Sequence, residues 1–125
     1  MNRKVGEGCD FTDLHGAKLI GADLVGAKLI DSCLFNSVLI GANLSDADLS
    51  EADLTGINLT NAILIRTVLR NANLPAADLT GANLSEAILT NARLINAILI
   101  RTVLSDAILT GANLSGAILD NTTNK

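Results

Sequence analysis

The residues that most often carry out catalysis are few and scattered in this sequence. His15 is the only histidine, and the many serines and threonines have no histidine paired with them as a base. Cys9 and Cys33 are the only cysteines, and they form no CxxC motif or Cys/His cluster. We therefore expect no catalytic residue, no cofactor and no bound metal, and we predict that the protein is not an enzyme.

Charge and composition exclude two classes of partner. The net charge of −4 comes from 13 acidic and 9 basic residues interleaved along the chain, whereas nucleic-acid binding needs a basic patch with aromatic platforms. The longest uncharged stretch, 32–45, has 14 residues and is too short to span a membrane. Residues 6–10, which read Gly-Glu-Gly-Cys-Asp, follow Arg3 and Lys4 where a signal peptide needs an apolar run. We expect a cytoplasmic protein with no nucleic-acid or membrane partner, unless a targeting segment was trimmed from it.

A five-residue repeat organises the whole chain. All 22 leucines lie five residues apart, from Leu14 to Leu119. We call the leucine position i. Position i−2 is alanine in 16 repeats, and position i+2 is glycine or asparagine in 14. The repeat therefore demands a large apolar residue, a small residue two positions before it, and a turn-forming residue two positions after it.

Neither a helix nor a straight strand can bury this pattern. Five residues on a helix advance about 140° beyond a full turn, and an odd period on a strand alternates the faces. A corner every five residues instead points positions i−2 and i inward, with glycine or asparagine supplying the positive φ of a type II turn. Four corners close a square, so we predict an all-β, quadrilateral parallel β-helix of about five and a half coils over residues 12–121. Residues 1–11 would form an N-terminal cap segment and residues 122–125 a polar tail.

The repeat unit resembles that of a known family. Four of its copies read Ala22-Asp23-Leu24, Ala42-Asn43-Leu44, Ala52-Asp53-Leu54 and Ala112-Asn113-Leu114. They resemble the A-(D/N)-L-x-x unit of the pentapeptide repeat family, and the resemblance covers nearly the whole chain. It implies a right-handed coil and a protein of the type abundant in cyanobacteria, where most members have no known function. Some members protect DNA gyrase by mimicking duplex DNA.

Most polar side chains in this arrangement are expected on a solvated surface. His15 would face outward, and the acidic cluster Asp46, Asp48, Glu51 and Asp53 would spread over adjacent corners, where side chains cannot converge on a metal. Cys9 and Cys33 are expected to remain free thiols, because they lie about four residues out of vertical register, unless the N-terminal segment folds back.

Two apolar features depart from a solvated surface. Outward position i−1 is apolar in several C-terminal repeats, so that with a 20-residue coil Val68, Ile88 and Ile108 stack on one side and Ile98 stacks with Ile118 on another. These columns either stabilise the coil or form the surface for an unknown protein partner. The C-terminal end would expose core leucines and favours a homodimer joined through the C-terminal ends. These leucines are Leu104, Leu109, Leu114 and Leu119.

Two functions follow from this description. The first is a non-enzymatic structural or protein-interaction module. The alternative is a DNA-mimicking inhibitor or protector of a DNA-binding enzyme such as gyrase. Duplex DNA carries one negative charge per about 1.7 Å, so a rod of about 26 Å would need roughly 15 charges. The net charge of −4 falls well short of that, which favours the first function.

Overall fold

Parallel pairing at a constant offset of 20 residues builds the fold. The computed structural model describes residues 12–124. Over this range there is neither a helix nor an extended strand, because each pairing is a single parallel bridge between i−1 residues, from Asp13–Cys33 to Val103–Thr123. The chain thus forms a four-sided parallel coil, and the pairing reaches two residues into the segment 122–125.

The four sides are named here by their stacked i−1 residues. Side 1 contains Asp13, Cys33, Asp53, Asn73, Arg93 and Asn113; side 2 contains Lys18, Val38, Asn58, Asp78, Ile98 and Ile118; side 3 contains Asp23, Asn43, Ile63, Asn83, Val103 and Thr123; side 4 contains Lys28, Asp48, Val68, Ile88 and Ile108.

A β-turn separates each side from the next. All residues at i+2, from Gly16 to Asn121, have φ between 56° and 73°. The carbonyl of position i accepts the N–H three residues later, as Leu14 does from Ala17 at 3.0 Å. Fourteen of these residues are not glycine, which shows that the stacked corners impose the left-handed conformation even on Arg66 and Ala76. The predicted type II corner is present in every repeat.

Leucine and small residues fill the interior, as the repeat predicts. Every leucine from Leu34 to Leu99 is at most 1% exposed, and the alanines at i−2 between them are equally buried. The threonines at i−2 are accommodated because their hydroxyls find acceptors inside the coil. Thr67 Oγ1 donates to the Leu44 carbonyl and Thr102 Oγ1 to the Leu79 carbonyl, each at 2.7 Å.

The backbone hydrogen bonds give each coil two different edges. N–H groups at i and i+2 donate to the following coil, as Leu14 does to Cys33 and Gly16 to Phe35. Only the N–H at i−1 donates to the preceding coil, as Cys33 does to Thr12. Each repeat therefore presents two donors and one acceptor toward the C-terminal end, and two acceptors and one donor toward the N-terminal end.

In the interior repeats of residues 12–124, the N–H at i+1 is the amide without a backbone acceptor. Where i−1 is Asp or Asn, its side-chain oxygen usually accepts this N–H and often the hydroxyl of the same i+1 residue. Asn58 Oδ1, for example, accepts Thr60 N–H at 3.1 Å and Thr60 Oγ1–H at 2.6 Å. The Asp/Asn-Leu-Ser/Thr sequence of many repeats is thus a local hydrogen-bonding unit.

Candidate interaction surfaces

The outward polar side chains are engaged in local contacts. Among residues 12–124, no group of three or more histidine, cysteine, aspartate or glutamate residues could hold a metal ion. His15 is exposed, donates a 2.6 Å hydrogen bond from Nδ1 to Asp13 Oδ1, and stacks on Phe35 with ring centroids 4.8 Å apart. The hydrogen bond from His15 lowers the pKa of Asp13. His15 lies on the surface, as its outward position predicts.

The acidic cluster is divided among separate partners. Asp46 pairs with Arg66 one coil later, at 2.8 Å from Oδ1 to Nε, and this hydrogen bond lowers the pKa of Asp46 and raises that of Arg66. Glu51 Oε1 accepts from Asn71 at 2.9 Å, and Asp48 Oδ1 accepts from Ser50 at 2.7 Å. These carboxylates face different neighbours, as the sequence predicts. Asp53 differs in being buried, and its Oδ1 accepts from Thr55 at 2.7 Å.

The expectation of two free thiols is wrong for Cys33. Cys33 is fully buried and disulfide-bonded, and Cys9 lies outside the described residues, as does the whole predicted cap 1–11. The vertical-register argument considered only the regular coil, so it could not place a thiol that precedes the first described repeat. Disulfides are rare in a reducing cytoplasm, and the cytoplasmic location stays a prediction.

Parallel bridges bring the predicted apolar columns together. Val68 is bridged to Ile88 and Ile88 to Ile108 on side 4, while Ile98 is bridged to Ile118 on side 2. Ile108 is 48% exposed and Ile118 44% exposed, whereas Val68, Ile88 and Ile98 are half-buried. We call Val68, Ile88 and Ile108 the side 4 column.

Other apolar outward residues do not form such a column. Ile63 and Val103 share side 3 but are separated by Asn83. Ile20, Val25 and Ile30, at i+1 of the first described coil, are exposed, but they lie on successive corners. The side 4 column is therefore the longest uninterrupted apolar stack at i−1 among the described residues.

The C-terminal end is concave and apolar. A cavity of about 230 Å³ is lined by Leu104, Leu109, Leu114, Leu119, Thr122 and Asn124. Leu119 is 47% exposed, Leu109 and Leu114 are half-buried, and Leu104 is buried. Leu104 is better covered because the chain passes it again at Thr123, whose carbonyl accepts the Leu104 N–H. Leu109, Leu114 and Leu119 are thus the incompletely covered core residues of this end.

Side-chain patterns in the sequence gave no sign of the backbone groups at the two ends. The donor-rich and acceptor-rich edges arise from main-chain hydrogen bonding that is the same in every repeat, whatever the side chains.

The described part of the chain contains no helix with the length and hydropathy of a membrane span.

Comparison with known families agrees with this architecture. The model for pentapeptide repeats matches eight copies over residues 9–46, 36–56, 52–91 and 87–123. The chain therefore belongs to the pentapeptide repeat family, whose members form right-handed quadrilateral β-helices. No curated protein matches the chain significantly.

Two solved structures of Nostoc PCC 7120 are similar to this chain. HetL, a pentapeptide repeat protein involved in heterocyst differentiation regulation, is 35% identical with a TM-score of 0.75; the match covers 88% of this chain and 60% of HetL. The pentapeptide repeat protein alr5209 is 41% identical with a TM-score of 0.50; the match covers 64% of this chain and 62% of alr5209. The chain thus spans roughly three fifths of the length of these proteins.

Proposed function

We propose that this chain is a non-enzymatic scaffold that binds a protein partner through the side 4 column. The observation that carries the proposal is the uninterrupted outward stack of Val68, Ile88 and Ile108, in which even Val68 and Ile88, each followed by a further coil, are part-exposed. The engaged, separated carboxylates and the lone exposed His15 support a binding role over a catalytic one. We take the rod to contain about five and a half coils. The column crosses two coil-to-coil spacings of about 4.8 Å, so its length is roughly 10 Å.

An apolar residue at i−1 cannot accept the hydrogen bonds that an Asp or Asn side chain accepts from the residue at i+1. On side 2, Asn58 and Asp78 each accept the N–H and hydroxyl of the threonine two residues later. The isoleucines at 88 and 108 offer no such acceptor to Thr90 and Thr110. Exchanging Asp or Asn for Ile therefore needs a compensating gain, either from packing within the stack or from contact with a partner. Val68 and Ile88 stay part-exposed although a further coil follows each of them, which favours contact with a partner.

The substitution Ile88→Asn separates these two sources of gain. The new amide can accept Thr90 N–H and Oγ1–H as Asn58 does for Thr60, so we expect the thermal midpoint to stay within a few degrees of the wild-type value or to rise. Partner capture from lysate should fall at least tenfold, because a polar group interrupts the apolar surface. The matched control is Asn83→Ile, which adds an apolar residue on side 3 without touching side 4.

Two results would contradict this proposal. A marked loss of stability in Ile88→Asn would show that the column serves the coil itself. Unchanged capture by a stable Ile88→Asn protein would place the partner elsewhere on the surface. HetL is described as involved in regulation of heterocyst differentiation, and a scaffold of this kind is suited to a regulatory complex.

The DNA-mimic alternative has less support from the surface. Arg66 neutralises Asp46 on the corner that also contains Glu86 and Asp106, so that corner lacks a continuous negative charge. Duplex DNA presents a uniform line of phosphates, which an interrupted row of carboxylates does not reproduce.

A further inference from the structure

A row of charged side chains borders the side 4 column on one flank. The residues two positions before the members of the column are Arg66, Glu86 and Asp106, and their 20-residue spacing stacks them on the corner between sides 3 and 4. Arg66 forms its ion pair with Asp46, at 2.8 Å from Nε to Oδ1. Glu86 and Asp106 are exposed and form no ion pair among the described residues. This flank of the column is therefore acidic.

Two stacked carboxylates do not help to hold the coil together. Neighbouring coils are about 4.8 Å apart, and like charges directly opposite each other on paired strands are destabilising. The same corner can bring opposite charges together, as the pair of Asp46 and Arg66 shows. Glu86 is exposed although a further coil follows it, so its carboxylate is available from outside the rod. Glu86 and Asp106 together are suited to a cation that the chain itself does not supply.

The opposite flank of the column has a different character. The residues two positions after the members of the column are Arg70, Thr90 and Thr110, so this flank has no carboxylate beside the column. The N–H of Thr90 has no backbone acceptor within residues 12–124, and Ile88 offers it no side-chain acceptor. A partner of the column therefore meets carboxylates on one flank and hydrogen-bond donors on the other.

The spacing of the column fits a helix better than a strand. Its three members span roughly 10 Å, because neighbouring coils are about 4.8 Å apart. Helix residues n, n+4 and n+7 lie on one face and span about 10.5 Å. Three alternate residues of a strand span about 13 Å, which is too long for the same register. A helix aligned with the rod can therefore place one apolar side chain against each member of the column.

We propose that the side 4 column binds an amphipathic helix whose apolar stripe has lysine or arginine on the flank that faces Glu86 and Asp106. This inference rests on the proposed function and adds the chemistry of the partner. A second copy of this chain suits the column less well, because the same face of that copy has the same two carboxylates and its Arg66 is already paired.

Three synthetic helical peptides test the chemistry of the partner. All three have leucine at n, n+4 and n+7 and are stapled on the opposite face, and they differ only at two flanking positions, which are lysine, glutamine or glutamate. By fluorescence anisotropy, the lysine peptide should bind the full chain at least tenfold more tightly than the glutamate peptide, with the glutamine peptide between them. The difference should shrink in about 1 M NaCl, because salt screens exposed charges.

A matched pair of variants locates the charge effect. Glu86→Gln should weaken binding of the lysine peptide at least threefold and leave binding of the glutamine peptide unchanged. Asp78→Asn removes the same charge from side 2, on the opposite side of the rod, and should bind all three peptides like the wild type. Its new amide can accept from Thr80 as Asn58 does from Thr60, so the coil keeps its local hydrogen bonds. Circular dichroism verifies that both variants are folded.

The outcomes separate the chemistry of the partner from the existence of a partner. Ile88→Asn should abolish binding of every peptide. Equal affinities for the three peptides, or binding of none of them, would overturn the basic amphipathic helix. Capture of a lysate partner that depends on Ile88 would then still support the scaffold, with a partner of other chemistry. Self-association of the chain that Ile88→Asn abolishes, measured by sedimentation velocity, would assign the column to a second copy and would also overturn the inference.

Discussion

Two buried serines at i−2, Ser32 and Ser37, differ in whether the hydroxyl is hydrogen-bonded inside the coil. Ser37 Oγ donates to the Leu34 carbonyl at 2.6 Å, whereas Ser32 Oγ has no hydrogen-bond partner within residues 12–124, although both side chains are buried. Alanine is the usual residue at this position, so both sites accept its volume. The two serines therefore differ in hydrogen bonding while sharing size and position.

Replacing each serine by alanine should affect the free energy of unfolding in opposite directions. Ser37→Ala loses a buried hydrogen bond and should lower the free energy of unfolding by about 1 kcal/mol. Ser32→Ala removes an unsatisfied buried hydroxyl and should leave stability unchanged or raise it by up to about 1 kcal/mol. Urea unfolding of both variants measures the difference. Equal destabilisation by the two changes would show that Ser32 has a partner in the folded protein.

At the scale of the corner, asparagine and glycine are coupled between coils. At four corners an asparagine at i+2 lies against the glycine 20 residues later: Asn36 with Gly56, Asn61 with Gly81, Asn91 with Gly111 and Asn96 with Gly116. A β-carbon on each of these glycines would meet the asparagine side-chain oxygen. Gly41 has the same left-handed backbone, with φ of 68°, but open space around it. The preference for glycine therefore has two origins, backbone conformation and contact with the coil before it.

Comparing Gly81→Ala with Gly41→Ala isolates the contact between coils. Both changes place alanine at a positive φ and should cost about 1 kcal/mol for that reason. Gly81→Ala should cost about 1 kcal/mol more, because the Asn61 side chain must move. In the background Asn61→Gly the extra cost should disappear, which a double-mutant cycle measures. An equal loss in the free energy of unfolding for the two variants would mean that the Asn61 side chain can change its rotamer without cost.

The corners and the interior were predictable because their causes lie within one repeat. Leucine at i, a small residue at i−2 and a turn former at i+2 determine a square corner, and the 20-residue bridges agree with that prediction. The Cys33 disulfide was not predictable from the register of the repeats, since residues 12–124 contain no second cysteine. The polarity of the edges was missed for another reason: it belongs to the main chain and leaves no pattern in the side chains.

For the whole molecule, packing of the interior depends on the five-residue repeat, whereas contacts between surface side chains depend on the 20-residue coil. Every side presents the same leucines and small residues to the core, so one repeat can replace any other there. Outward neighbours, such as Asp46 and Arg66, meet only because they are 20 residues apart. Inserting or deleting five residues can therefore preserve the core. The outward side chains after that point would then lie beside different residues of the preceding coil.

Two deletions should show this separation. Removing residues 82–86 keeps leucine at every fifth position, and we expect a cooperative unfolding transition with a modestly lower urea midpoint. Removing only 82–85 leaves six residues from Leu79 to the next leucine and adds a residue to one corner. Although it is shorter by fewer residues, this deletion should be the more destabilising by at least about 1 kcal/mol, because the extra residue disrupts pairing at that corner. The reverse order of midpoints would show that the corners tolerate any length.

The constant 20-residue offset also has a consequence for the ancestry of such chains. The segment NAILIRTVL occurs at 61–69 and again at 96–104, seven repeats later. Seven is not a multiple of four, so Ile63 lies on side 3 while its counterpart Ile98 lies on side 2. When replication slippage adds or removes one repeat in the gene, every later repeat of the protein moves to the next side of the coil, a rotation of about a quarter turn. New combinations of surface neighbours can thus arise without a single substitution.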